Sequence, residues 1–386
     1  FHHNLLADCN GRNWSMGGGT NANGEYAGRL DIFNNVVYNW NGRTTDGGAH
    51  EVNFVNNYYK MGPDTRETFL FSLDIEGNLK GTQSAYISGN VRDNKDGTLT
   101  DDKQGVTYRM NIRDGRPSVD WQYFVSEPFW PSHARIEPAR DAYKSVLSDV
   151  GANQPMTDLT DRRILGETLN RTYTYTGSKS GIKGEIDDEQ DAGGFEDYPE
   201  TAWAADYDQD NDGLPNWWEE LRGTNPRSRI LNYADTNRDS EGDGYTELER
   251  YLDFMAQPHL WLAPGAEATV SLGSLFLGFT SSPQFAAECA TTAISTTLSG
   301  DALTIKAADE AALAEVLLSV TDNEGATLQR RLCVAVTSNT AVSSGISHAT
   351  AAADEADAPL FNLQGMRVKQ PKQGLYISKG RKLVVK

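Results

Sequence analysis

Short apolar runs interrupted by asparagine recur over the first part of the chain. Asn4 precedes Leu5 in FHHNLLA, Asn35 precedes Val36 in IFNNVVYNW, Asn57 precedes Tyr58 in FVNNYYKMG, and Asn90 precedes Val91 in YISGNVRD. The intervals are 31, 22 and 33 residues, a loose period that tolerates insertions. β-rich runs at such spacing, separated by Gly, Asn and Asp, predict a coil in which each circuit adds one rung: a right-handed parallel β-helix. In such a coil a stacked asparagine can pair its amide along the ladder. Ordinary hairpins with Asn-rich turns are the alternative.

The pattern then changes. Residues 95–200 are less periodic, except that Ala139, Ala142, Tyr143, Val146, Leu147 and Val150 follow helical spacing, with Gly151 as the stop. The polar stretch 172–200 is expected to run extended over the rungs, completing a first domain at 1–203. Residues 204–257 read as Asp-rich loops with short helices. From 258 to 340 short alternating runs such as ATVSL, ALTIKA and RRLCVAV are separated by turns at Gly300 and Gly325, predicting a β-sandwich. An Ala/Ser/Asp-rich linker at 341–358 precedes a tail at 359–386 that alternates like hairpins around Gly365, Gly374 and Gly380.

Composition narrows the choice of partners. The 386 residues are 38% hydrophobic, with no apolar run long enough for a transmembrane segment. The net charge is −19, and 185–253 alone holds 21 acidic and 5 basic residues. No basic patch exists to attract nucleic acid. Cys9, Cys289 and Cys333 make no disulfide framework; the last two either pair or sit as small buried hydrophobes.

The acidic excess has chemistry in it. DQDNDGLPNWWE sets Asp208, Asp210 and Asp212 at alternate positions, then Gly213 for a sharp turn, and Glu219 at position twelve. That spacing converges hard oxygens on calcium, with Asp206 just outside. DSEGDGYTELER repeats the pattern with Asp239, Glu241, Asp243 and Gly244, but position twelve is Arg250 and Glu249 falls one residue early. Ca2+ is the expected cofactor, and its expected role is to tie this module together.

With these residues in view, FHHNLLADCNGRN, LDIFNNVVYNW and VNFVNNYYKMGP resemble the second half of a pectate lyase of polysaccharide lyase family one. The similarity extends through ARDAYKSVLSDVGA, DLTDRRI and IDDEQDAGGFEDYP, roughly two thirds of the chain. It implies β-elimination on polygalacturonate (pectin): a base takes the C5 proton beside the uronate carboxylate, and the bond from C4 to oxygen breaks. Calcium bridging enzyme and substrate makes that proton more acidic. The resemblance puts the base at Arg12. NLQGMRV and GLYISKGRKLVVK resemble a type IX sorting signal, implying secretion machinery as a partner and a secreted or cell-surface location.

The departures also matter. The family commonly continues Arg-Asn-Pro-Arg, whereas here Trp14 and Ser15 stand at the last two places, so a second substrate arginine is absent there. Trp14 is a candidate to stack on a sugar face. Arg43 and Lys60, on later rungs, are candidates for carboxylate contacts, with a plain surface role as the alternative. The family's aspartates for catalytic calcium, and a substrate lysine, lie upstream of this region. Residue 1 carries none of the marks of a signal peptide, so the chain is read as N-terminally truncated and inactive alone. Two rivals stand beside the lyase: a non-catalytic surface β-helix that binds glycan or protein, and a polygalacturonase with paired aspartates. The second lacks a Gly-His-Gly segment, and Asp101-Asp102 reads as a polar turn.

Overall fold

The computed structural model describes residues 1–17, 20–77, 79–113, 118–154, 157–196, 204, 206–228 and 233–339, and the strands within 360–385. The chain divides into two compact units. One is Phe1–Gly151 with Leu159–Phe195 and Phe276–Ser281; the other is Ala152–Asp158 with Glu196–Leu275 and Ser282–Lys386.

Among the described residues, twelve short strands build the first unit: β1 Leu5–Ala7, β2 Arg29–Phe33, β3 Val36–Tyr38, β4 Thr45–Gly47, β5 Glu51–Val55, β6 Tyr58–Lys60, β7 Phe71–Ile75, β8 Ser84–Ser88, β9 Val91–Asp93, β10 Leu99–Asp101, β11 Tyr108–Ile112 and β12 Phe124–Val125. They form three sheets. The first holds β2, β5, β8 and β12, the second β1, β3, β6 and β9 with β10 on its edge, and the third β4, β7 and β11. All pairs are parallel except β9 with β10. The chain visits first, second and third sheet in turn, circuit after circuit, an arrangement compatible with a parallel β-helix.

Register explains the asparagine intervals. Leu5 pairs with Val36, Val36 with Tyr58, and Tyr58 with Val91, so each asparagine stacks on the next. Asn4 donates its amide to Asn35 Oδ1 (2.9 Å), Asn35 to Asn57 (3.0 Å), and Asn57 to Asn90 (2.9 Å). Asn35, Asn57 and Asn90 are fully buried, so their amides must find partners inside, and they find each other. Asn90 donates to Asp102, which therefore terminates the ladder instead of occupying a free polar turn.

The second sheet is covered on both faces. Val37 and Tyr59 point into a core with Ile32, Trp40, Phe54, Phe71 and Leu73, whereas Val36, Tyr58 and Val91 pack with Ala139 and Val146 of α1 (Ala139–Asp149). A second helix, α2 (Leu159–Asn170), lies where the sequence reading assigned no element. Its buried residues are Leu165, Glu167 and Thr168, too few and too polar to leave an apolar stripe. After it, the Thr172 carbonyl accepts from Tyr38 and the Lys183 carbonyl accepts from Asn39, but Glu189–Ala192 forms a 3-10 turn where extended chain was expected, and 197–200 lie outside the described residues.

The second unit begins with α3 (Asn216–Arg222) and α4 (Glu247–Ala256), followed by β13 His259–Leu262, β14 Glu267–Ser271, α5 Leu272–Leu275, β15 Gln284–Glu288, β16 Ile294–Ser299, β17 Ala302–Ala307, β18 Ala312–Thr321 and β19 Thr327–Val336. Among the described residues of 204–339, seven strands make two sheets, β13-β19-β18-β15 and β14-β17-β16. Turns fall at Gly300 (φ +63°) and Gly325 (φ +87°). Leu214, Trp217, Trp218 and Phe254 form one cluster with Cys333 and Ala335. Burial drives the Cys333 thiol up to about 12, and none of the three cysteines is paired. The linker at 341–358 lies outside the described residues. Beyond it, Leu360–Phe361, Arg367–Val368, Gly374–Ser378 and Arg381–Val385 form an antiparallel sheet, with Gly374 inside a strand rather than at a turn.

Candidate functional site

Connections from the second sheet to the third stack because the strands they join are in register. Asn41 and Gly42 donate backbone N–H groups to the Asn10 carbonyl (3.2 and 3.0 Å), and Asp46 N–H donates to Trp14 (3.2 Å). Buried Asn13 donates its amide to the Arg43 carbonyl (3.1 Å), while the Thr45 hydroxyl donates to Asn13 O (2.6 Å). The turn bearing Arg12 thus lies on the turn bearing Arg43. Gly11 makes the approach possible: a Cβ there would stand 3.0 Å from Arg43 Cβ.

That turn is strained. Arg12 (φ +61°) and Trp14 (φ +81°) both occupy the left-handed region, costly for residues with a Cβ. Arg12 is exposed and has no hydrogen-bond or ion-pair partner among the described residues. Trp14 is half-buried, packs on the core and lies 5.3 Å from the Phe1 ring. Its indole N–H is buried without a partner among the described residues.

Beside this turn is a cleft of about 320 Å³, lined by Arg43, Asp46, Glu67, Phe69, Ser72, Arg109 and Arg113 among others. A polar row crosses the third sheet along it. Ser15 stands opposite Asp46, Asp46 opposite Ser72, and Ser72 opposite Arg109. Arg43 grips Asp46 with two bonds (2.6 and 2.8 Å), which raises the affinity of its guanidinium for its proton. Arg109 lies over the Phe69 ring (4.0 Å) with its Nη2 3.5 Å from Glu67. Arg113 meets Asp74 at 2.8 Å, and Asp74 also accepts from Ser72 and Asn111. Burial raises the Asp74 carboxyl above its ordinary range. Each guanidinium is held in place by a carboxylate yet keeps further N–H groups, the arrangement that recognises carboxylates on a ligand.

Arg109 and Arg113 are absent from the sequence reading, which assigned no strand to their segment; the four-residue spacing in RMNIR was the available signal. Lys60 goes the other way. It is 8% exposed, on the face of β6 beneath α1, and donates to Tyr143 Oη (2.7 Å) and the Leu169 carbonyl (3.0 Å). Burial lowers its ammonium to about 8. Its donors are committed to helix packing, so it does not join Arg43 at the cleft.

No family model and no solved structure matches the chain. Curated relatives do, from Aspergillus flavus and Aspergillus oryzae (each 29% identical over 236 residues) and Emericella nidulans (30% over 233 residues). All three are named probable pectate lyase C. Each match covers 59% of this chain and 48% of the relative, so the chain spans about half the length of the curated relatives it matches. The chain is similar to pectate lyases.

The two Asp-rich loops of the second unit differ sharply. In the first, Asp208, Asp210 and Asp212 offer oxygens within 4.8 Å of one another. Asp208 accepts from the N–H groups of Asp212 (3.3 Å) and Gly213 (3.1 Å), and Asp206 holds Asn216 through its carbonyl (2.6 Å). Gly213 (φ +98°) makes the turn. Glu219, from the first turn of α3, is fully buried, and its Oε2 has no partner among the described residues. Burial, with Asp210 and Asp212 nearby, pushes its carboxyl up to about 8.

In the second loop the acids are spoken for. Asp239 accepts from the N–H groups of Gly242 (2.7 Å) and Gly244 (2.9 Å). Arg250 bonds Asp243 (2.5 Å) and approaches Glu241 (3.4 Å), while Arg222 bonds Glu241 and buried Glu247 (2.9 Å each). Glu249 turns into a capping box with Thr246 at the start of α4.

Proposed function

We propose that this protein cleaves polygalacturonate by β-elimination, with Arg12 as the base and uronate carboxylates held along the cleft by Arg43, Arg109 and Arg113. On this reading the first unit is a right-handed parallel β-helix carrying the chemistry. The second is a calcium module joined to a β-sandwich, and the tail directs export to the cell surface or medium. Similarity to proteins named pectate lyase supports the reaction class. One observation carries the choice of base: Arg12 is exposed, has no carboxylate partner among the described residues and sits on a turn stacked against that of Arg43, beside a cleft whose three arginines are all paired.

The uronate carboxylate acidifies the C5 proton, and neighbouring guanidinium charge stabilises the carbanion as it forms. Arg12 takes that proton, the electron pair closes a C4–C5 double bond, and the C4–oxygen bond breaks; the departing oxygen then takes up a proton. An arginine releases its proton only above about pH 12, so the rate is expected to climb with pH. The family resemblance implies calcium at the reacting sugar, where it would supply charge neutralisation. Among the described residues of the first unit no three acidic or imidazole groups converge at ligand distance, and the proton transfer and charge stabilisation fall to Arg12 and the cleft arginines.

The test is release of unsaturated product from polygalacturonate, followed by ultraviolet absorbance in the parent and in Arg12→Lys. Loss of several orders of magnitude with the fold intact supports the assignment, and near-normal turnover overturns it. Polygalacturonate binding without product would replace the lyase by a non-catalytic glycan-binding surface.

A further inference from the structure

Two loops of nearly the same sequence pattern, 208–219 and 239–250, handle their negative charge in opposite ways. Among the described residues, the first has no basic partner for Asp208, Asp210, Asp212 or Glu219. Both carboxylate oxygens of Asp210 and the Oε2 of fully buried Glu219 make no hydrogen bond there. A buried, unpaired carboxylate beside three others is among the costliest arrangements a protein can hold, unless a cation is bound or protons are taken up. The oxygens that lack partners come from positions three and twelve of the loop, two of the positions from which a calcium loop takes its ligands.

In the second loop, position twelve is Arg250. Its guanidinium reaches Asp243 (2.5 Å) and Glu241 (3.4 Å), and Arg222 adds a second positive charge on Glu241 (2.9 Å). Asp239 is satisfied by three backbone N–H groups, and Glu249 by Thr246. Every acid there has a partner within the protein.

We propose that this pair of loops takes a single Ca2+, in the first loop with Glu219 as the closing ligand, and that Arg250 with Arg222 is the built-in counter-ion of the second. One loop is then metal-dependent and the other shaped without metal. Several hard carboxylate oxygens in one loop favour Ca2+, which accepts six to eight oxygens in varied geometry, over the smaller Mg2+, which demands tighter octahedral geometry. The inference stands apart from the lyase reading, because no polysaccharide enters its test.

The experiment is calorimetric titration of chelator-stripped full chain with Ca2+ alone. One site is expected, and it is lost in Glu219→Gln and in Asp210→Asn. Arg250→Glu is expected to raise the stoichiometry to two. Asp212→Asn is the second variant for the first loop, should burial make the Glu219 variant fail to fold. Tryptophan emission should shift with the first binding event, since Trp217 and Trp218 immediately precede Glu219. No binding, two sites in the parent, or one site that survives the first-loop variants would each overturn the assignment. A stoichiometry that stays at one in Arg250→Glu would overturn the role given to the arginine.

Discussion

Asn90 donates its side-chain amide to the Asp102 carboxylate, so a ladder of four asparagines ends on an acid. The three rungs above repeat one geometry: each lower Oδ1 accepts both the backbone N–H and the amide of the asparagine above it. Asp102 accepts the same two groups from Asn90, at 2.9 Å for the backbone N–H.

Burial pushes the Asp102 carboxyl from its ordinary 3.8 up to about 6. Below about pH 4 it is protonated in folded and unfolded chains alike; between about 4 and 6 the folded form keeps its proton while the unfolded form loses it. Stability of the first unit is therefore expected to fall as pH rises through this window and to level above it. Asp102→Asn can accept both donors without a charge. The variant should match the parent near pH 4 and gain on it, by on the order of 3 kcal/mol, above pH 6. Denaturant midpoints across pH 4 to 7 check this, and an equal slope in both proteins would refute it.

In the middle of the ladder, Asn57→Ala leaves Asn35 and Asn90 without their partners in a buried site. Unsatisfied buried groups cost about 1–3 kcal/mol each, so a loss of roughly 3 kcal/mol is expected. Asn4, at the exposed end, should cost much less when replaced by alanine.

Lys60→Met separates stability from chemistry. The variant fills the same buried space and loses the bonds to Tyr143 and Leu169, so the unfolding midpoint should change. KM for polygalacturonate should not. Arg109→Gln should do the reverse, raising KM through loss of a carboxylate contact while stability moves by less than about 1 kcal/mol, the usual range for a surface ion pair.

Trp217, 1% exposed, packs with Phe254 (5.5 Å) and Trp261 (5.7 Å) in the cluster that includes Cys333 and Ala335. A piece limited to 204–255 lacks Trp261, Cys333 and Ala335. Its tryptophan emission should lie further to the red than that of the whole chain, with calcium or without. Trp217→Ala in the whole chain should cost about 3–5 kcal/mol.

Much of the first unit was legible because the asparagine interval and the strand register are the same quantity: Asn35 and Asn57 stand 22 residues apart, as do Val36 and Tyr58. The helix at Ala139–Asp149 was legible for a similar reason, one apolar stripe at one spacing. Lys60 was misread because β6 is buried on both faces, so alternation could not tell the side facing the rungs from the side beneath α1. Arg109 and Arg113 were missed because β11 follows a fourteen-residue excursion that hides its place in the period. In the acidic loops the spacing of Asp208, Asp210 and Asp212 was legible, whereas the reach of Arg222 into the second loop joins residues too far apart in sequence to suggest it.

The corner between the first and second sheets always takes two residues, ending on a ladder asparagine. The passage from second to third sheet takes six, ten and fourteen residues at 39–44, 61–70 and 94–107, and it furnishes Arg43, Glu67 and Phe69 to the cleft. The molecule thus separates a fixed chassis from exchangeable parts. Lengthening a flexible connection costs little, since closure entropy grows only with the logarithm of length, while any slip at the corner would break the chain of amides. New ligand preference can therefore be grafted, by evolution or at the bench, by changing the exposed residues of the long passages one at a time, so long as Trp40, Met61 and Leu70 keep their places in the core.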